Sequence, residues 1–170
     1  MTRRIVLVLS MALISSAWTG AAAIQPASAA GPHGAFCHIS GKAVFSKRLG
    51  TSARSVRYRF TGTLDNCQSN SGKYKTARIS AAGAGSLSCG GGSSHGVATV
   101  RWSRRVKSVV KFTTSSLLAL VDVSGKVIRG QDKGDPAHGD LLFQANPQQC
   151  QSGGVRRASF NGTTEYGNFQ

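Results

Sequence analysis

Acidic residues are scarce in this chain, six in 170 positions against 21 lysines and arginines, and Glu165 is the single glutamate. Beyond residue 30 no apolar run comes near the roughly 20 residues a membrane helix needs, the longest being Leu117 to Val121, so no membrane span is expected there. No two cysteines have Cys-x-x-Cys spacing, which argues against a redox motif or a zinc ribbon. No segment after residue 30 carries a strong 3.6-residue apolar period, so helix is expected to be nearly absent.

What is present at the start of the chain has a targeting pattern. Arg3 and Arg4 head an apolar run from Ile5 to Trp18, and Ala27-Ser28-Ala29-Ala30 stands before Gly31. This reads as a secretory signal peptide over residues 1–30, cut after Ala30, with Ala29 as the alternative. The segment Thr2 to Leu7 also loosely resembles a twin-arginine signal, although the strength of the apolar run favours the general route. Residues 31–170 are then expected to be one secreted, extracellular domain, monomeric and free of the membrane, since no Pro/Ser-rich linker or composition break divides them. Losing Arg3 and Arg4 leaves 19 basic residues against six acidic ones, a formal +13. Such a charge speaks of partners, not of fold. Anionic cell-wall polymers, nucleic acid and acidic membrane surfaces all fit it, as does solubility alone.

Cys37, Cys67, Cys89 and Cys150 are even in number and widely spaced, as expected of two structural disulfides in an oxidising compartment. Three connectivities are possible. The pairing Cys37 with Cys67 and Cys89 with Cys150 is favoured, because a sequential pair lets Cys37, before the first strand, clamp the end of the second.

The clearest element is 55–64, where Val56, Tyr58, Phe60, Gly62 and Leu64 alternate with Ser55, Arg57, Arg59, Thr61 and Thr63. That is a half-buried strand with an apolar inner face and a cationic outer one. Shorter runs of the same kind occupy 44–46, 74–80, 96–103, 106–113, 117–123, 126–129, 141–144 and 155–160. Eight or nine short strands indicate an all-β, single-domain antiparallel sandwich or barrel. Ser-Gly-Lys recurs at Ser40, Ser71 and Ser124, each time before a strand-like run, and is read as a turn. None of the three copies has the following Ser or Thr of a phosphate loop. The glycines after Cys89 read as a flexible connection into the next strand.

Phe60-Thr61-Gly62-Thr63-Leu64 with Cys67, then Gly85 to Cys89, then Gly96 to Trp102, with the late Cys150, resembles a group of small secreted proteins of actinobacteria. The resemblance spans most of the expected mature chain. It implies secretion and a disulfide-linked β fold, and it supplies no catalytic residues or cofactor.

Three constellations bear on function. Asp132, Asp135, His138 and Asp140 crowd one connection and are the weak candidates for a cation site, without the glycine and terminal glutamate of an EF-hand, and turn chemistry alone accounts for them. His33, His38, His95 and His138 are the histidines a small nuclease-like hydrolase would need beside a carboxylate. Nothing local brings two of them together, and neither a serine elbow nor a free cysteine nucleophile is read. The basic residues are more suggestive. Arg57 and Arg59 on one strand, with Arg101, Arg104, Arg105 and Lys107 on a later hairpin, form a candidate anion-binding face, near Tyr58 and Trp102, both read as core residues. Arg54, Lys111, Arg156 and Arg157 extend the basic set. The expectation is a secreted cationic binding protein without enzymatic activity, contacting an anionic polymer such as a cell-wall polymer or nucleic acid. The alternatives are a small hydrolase and a protein-binding effector or inhibitor.

Overall fold

A computed structural model describes residues 34–167 except 70, 71, 73 and 104. The expected signal peptide, His33 and Arg104 therefore lie outside the described residues. Eight antiparallel strands run up and down in chain order: β1 (Gly34–Leu49), β2 (Arg54–Ser69), β3 (Ala77–Ser88), β4 (Gly91–Arg101), β5 (Lys107–Leu117), β6 (Leu120–Gly130), β7 (Pro136–Gln144) and β8 (Val155–Gly167). β8 pairs back onto β1 from Gly34↔Gly167 to Leu49↔Val155, so the sheet closes into a barrel and no strand is left as an edge. One short helix, α1 (Pro147–Ser152), interrupts the β7–β8 connection, capped by Asn146, whose side chain accepts from the Gln148 N–H.

The alternation in the sequence sets which face looks inward. On β2 the inward set is Val56, Tyr58, Phe60, Gly62 and Leu64, with Val56 and Leu64 essentially sealed from solvent and Arg57 and Arg59 exposed. Lys111 on β5, Lys126 on β6 and Asp140 on β7 are exposed likewise. Apolar side chains inside and charges outside invert the pattern of a membrane-spanning barrel, whose middle carries an outward apolar belt. Among the described residues no helix is long and apolar enough to cross a membrane.

Both disulfides have the favoured pairing. Cys37–Cys67 joins β1 to β2, and Cys89–Cys150 ties the β3–β4 turn to α1.

Local readings are corrected at four places, one of them the glycines after Cys89: Gly91 and Gly92 are not a connection but the start of β4, paired with Ser88 and Leu87. Two of the three Ser-Gly-Lys copies are strand interior: Ser40-Gly41-Lys42 lies within β1 and Ser124-Gly125-Lys126 within β6. Gly41 is an inward position crossed by the Phe160 ring, whose Cζ lies 2.6 Å from where a Cβ would stand. A glycine there makes room for an aromatic ring and breaks nothing. The third copy falls between β2 and β3, where only Gly72 is described, at φ +64. The expected strands 117–123 and 126–129 are one strand, β6, preceded by a two-residue turn at Leu118 and Ala119. His138 and Asp140, read as part of a connection, belong to β7, and only Asp132 and Asp135 are in the loop before it.

Candidate functional site

The two ends of the barrel differ. At the end where β1 begins and β8 finishes, the Trp102 ring lies tilted against Tyr74 with centroids 4.5 Å apart and meets Tyr166 edge-on at 5.5 Å. These rings are pinned by polar contacts. Tyr74 Oη donates to Asp132 Oδ2 at 2.6 Å, Trp102 Nε1 donates to Ser108 Oγ at 3.2 Å, and Ser108 Oγ donates to the Gln131 carbonyl at 2.8 Å. With Leu64, Val100 and Val127 beneath them, they close that end.

The other end is open. A cavity of about 540 Å³ runs down the lumen to Tyr166, and its opposite limit is formed by exposed residues, among them Thr51, Leu118, Ala119 and Ala145 in loops and Pro147 at the start of α1. Hydrogen bonds between neighbouring turns organise this mouth. Cys89 N–H donates to Gly50 O, Leu118 N–H to Gly90 O and Phe143 N–H to Ala119 O. The Cys89–Cys150 bond straps α1 across the rim, where both cysteines line the cavity.

Small inward residues create the space. Ala43, Ala98, Ala137 and Ala158 stand on four strands where bulkier side chains would fill an eight-stranded barrel. Phe60 meets Phe112 and Phe160 at 6.2 and 5.5 Å, and Phe143 stacks on Phe160 at 5.5 Å, forming an aromatic layer halfway down. Among the described residues no Asp, Glu, Lys or Arg lines the lumen. His138 lies between the buried Ala137 and Gly139, so its side chain points outward and it meets the lumen through its backbone.

Polar atoms inside are hydroxyls. Tyr58 Oη and Ser94 Oγ are 2.8 Å apart, and Ser94 Oγ and Thr114 Oγ1 are 2.7 Å apart, a three-membered chain on the mouth side of the aromatic layer. The Tyr58 ring reaches Ser94 by lying across β3 at Gly83, where an added Cβ would come within 2.5 Å of Tyr58 Oη and 2.6 Å of His95 O. Gly83→Ala is therefore expected to displace the ring or spread the strands, costing about 1–3 kcal/mol. A thermal melt unchanged from the parent would contradict this packing.

At the floor, Thr164 Oγ1 donates to His138 O at 2.8 Å and Tyr166 hydrogen-bonds Thr164. Burial pushes the Tyr166 phenol from its ordinary 10.0 up to about 12, with the Thr164 bond acting the other way. A raised folded-state value means that the neutral phenol's contribution is complete below pH 10 and is lost as the pH climbs through about 12. Tyr166→Phe should resist alkaline unfolding across that window, followed by circular dichroism beside tyrosinate absorbance; a variant that unfolds together with the parent would show that Tyr166 is not what titrates.

The residues expected from sequence fall elsewhere. Arg57 and Arg59 are exposed on β2, level with Ala84 and Ala82 on β3. Arg101 and Lys107 are paired across β4 and β5 near the closed end, with Arg105 exposed in the loop between them. β3 stands between the two groups. Strand pairing brings Arg78 beside Arg101, so Arg78, Arg101 and Lys107 form an outward row across three strands, and among the described residues none has a carboxylate partner. Arg78 is isolated in the sequence, and only sheet register reveals it. Arg59 instead borders a shallow outer depression with Lys42 and Arg157.

Among the histidines, His38 Nδ1 pairs with Asp65 Oδ1 at 2.9 Å, both side chains exposed on the outer wall. His95 is exposed on β4, and His138 faces Glu165 in register on the outside of β7 and β8. Asp132 accepts from Tyr74 Oη and Gln131 Nε2. No group of three metal-ligating side chains occurs among the described residues.

Sequence reasoning also passed over Gly92-Ser93-Ser94-His95-Gly96, which has the spelling of a serine-nucleophile elbow. It lies within β4, not at a strand-to-helix turn, and Ser94 bonds Tyr58 and Thr114 while His95 is exposed on the other face. The geometry that would present a nucleophile is missing from this segment.

Fold and site together define a class: a single-lumen, up-and-down barrel with an uncharged, mostly apolar cavity open at one end. No family model, no curated protein and no solved structure matches the chain.

Proposed function

We propose that the protein is a binding protein for a small, largely apolar molecule held in the barrel lumen. The open cavity of about 540 Å³, with no charged side chain among the described residues of its wall, carries this reading. Its size falls in the range of about 300–1,000 Å³ that small-molecule sites occupy, and an eight-stranded barrel is wide enough to hold one such ligand. The mouth adds support. Leu118, which lines it, is 71% exposed and sits in the left-handed region at φ +56, where leucine is disfavoured. A rim that breaks both burial and backbone preference suits the entry of an apolar ligand. Titration with the neutral dye N-phenyl-1-naphthylamine tests the proposal. Saturable binding at one dye per chain is expected, and absence of saturable binding would overturn it.

A second reading, contact with an anionic polymer outside the cell, is favoured by the unpaired row of Arg78, Arg101 and Lys107. Like charges directly opposite one another destabilise a sheet, so a polyanion laid across them would relieve repulsion as well as release counterions. Reversing Arg78 and Arg101 to Glu should weaken heparin retention and flatten its salt dependence, by about one unit of slope for each anionic group no longer neutralised. Reversing Arg57 and Arg59 serves as the comparison. Equal effects from the two pairs would mean that retention reflects net charge alone.

A further inference from the structure

We infer that the Tyr58–Ser94–Thr114 chain receives the single polar group of the ligand, and that this group is uncharged: a hydroxyl or carbonyl on an otherwise apolar molecule. This rests on the lumen being the binding site and adds the chemistry of the molecule that fits it.

Three hydroxyls carry three protons, and the two bonds among them, at 2.8 and 2.7 Å, use two. In every arrangement one proton is left over, on Tyr58 or Thr114 at an end or on Ser94 in the middle, beside acceptor lone pairs. The floor offers no such opening. The Thr164 proton goes to His138 O and Tyr166 hydrogen-bonds Thr164, so both side chains are engaged inside the protein. A ligand therefore finds its hydrogen-bonding partner on the mouth side of the aromatic layer, with Phe60, Phe112 and Phe160 left for its apolar part.

Charge on that polar group is excluded by the wall. A carboxylate or ammonium would be desolvated with no opposite charge lining the lumen, and the hydroxyls could not compensate it. Burial also raises the Tyr58 phenol above its ordinary range, against a smaller opposing effect of the Ser94 bond, so the chain stays neutral and able to donate at physiological pH.

The test compares 1-decanol, decane, decanoate and decylamine as competitors of N-phenyl-1-naphthylamine, on the oxidised protein and on the triple variant Tyr58→Phe, Ser94→Ala, Thr114→Val. Removing all three hydroxyls while keeping their shapes leaves no unpaired buried partner, so the variant should fold, which near-ultraviolet circular dichroism checks. Decanol affinity is expected to fall roughly fivefold in the variant while decane affinity stays level, with decanoate and decylamine weak on both. Equal changes for decanol and decane, or tight decanoate binding, would overturn the inference and leave the lumen as the site. Failure of every competitor and of the dye on the parent protein would overturn the binding reading itself. Should the triple variant fail to fold, Thr114→Val with Tyr58→Phe is read the same way, with a smaller expected loss for decanol alone.

Discussion

Replacing Cys89 and Cys150 together by alanine is expected to lower the free energy of unfolding by about 4 kcal/mol. The bond closes a loop across 61 residues of sequence separation, and the chain-entropy model assigns a constraint of that length about this much. Domains of this size are stable by only about 5–15 kcal/mol, so the loss is a large share of the whole. The location adds a functional consequence. Cys89 sits in the β3–β4 turn and Cys150 in α1, so the bond holds the β7–β8 connection to that turn at the mouth, and a further hold on the end of the α1 segment is Arg48 Nη1 donating to Gly154 O at 3.3 Å. Freed, α1 should let a bound dye leave faster. Urea unfolding under non-reducing conditions measures the first effect and stopped-flow dye release the second. A stability loss under about 1 kcal/mol would mean that the unfolded chain is constrained by something other than this bond.

Ala98→Trp should abolish lumen binding, lowering affinity for N-phenyl-1-naphthylamine about tenfold or more. Ala98 points inward from β4 with Ala81 and Val110 opposite it on the flanking strands, and it is one of the small residues whose modest size leaves the cavity open. An indole at that position occupies the space beside Phe112 that a ligand needs. Filling an existing cavity differs from overpacking a full core, so the fold should survive, at a cost of no more than about 1–3 kcal/mol. The comparison is Thr99→Trp on the same strand, facing outward, which leaves the lumen as it is. Equal loss of dye binding in both variants would count against the lumen as the site.

Much of the architecture was legible because its signals are local. The alternation of Val56, Tyr58, Phe60, Gly62 and Leu64 is a period of two written in consecutive residues, whereas the order in which the strands pair was not legible. The disulfide pairing followed from cysteines near strand ends. What the sequence did not show is what depends on neighbours remote in the chain. Gly41 reads as a break until Phe160, far along the chain, is seen to lie over it, and Gly83, beyond the expected strand 74–80, proves to be a position in β3 that Tyr58 crosses. The cavity was invisible for the same reason. Ala43, Ala98, Ala137 and Ala158 are ordinary one at a time and become a site only when four strands turn them toward one axis. An inward face written in glycine and alanine, where leucine and isoleucine would fill a barrel, is the signal that would have pointed to it. The cationic surface divides along the same line. Arg57 and Arg59 are visible as a pair, whereas Arg78 joins Arg101 and Lys107 only through sheet register.

The most direct test of lumen binding is to locate a bound probe. With methyl-labelled protein and saturating N-phenyl-1-naphthylamine, nuclear Overhauser contacts are expected from the probe to Ile79, Ala98 and Val110 inside the barrel. Contacts confined to Leu117, Leu120 and Leu142 on the outer wall would place the probe on the exposed leucines and contradict the claim that the lumen is the binding site.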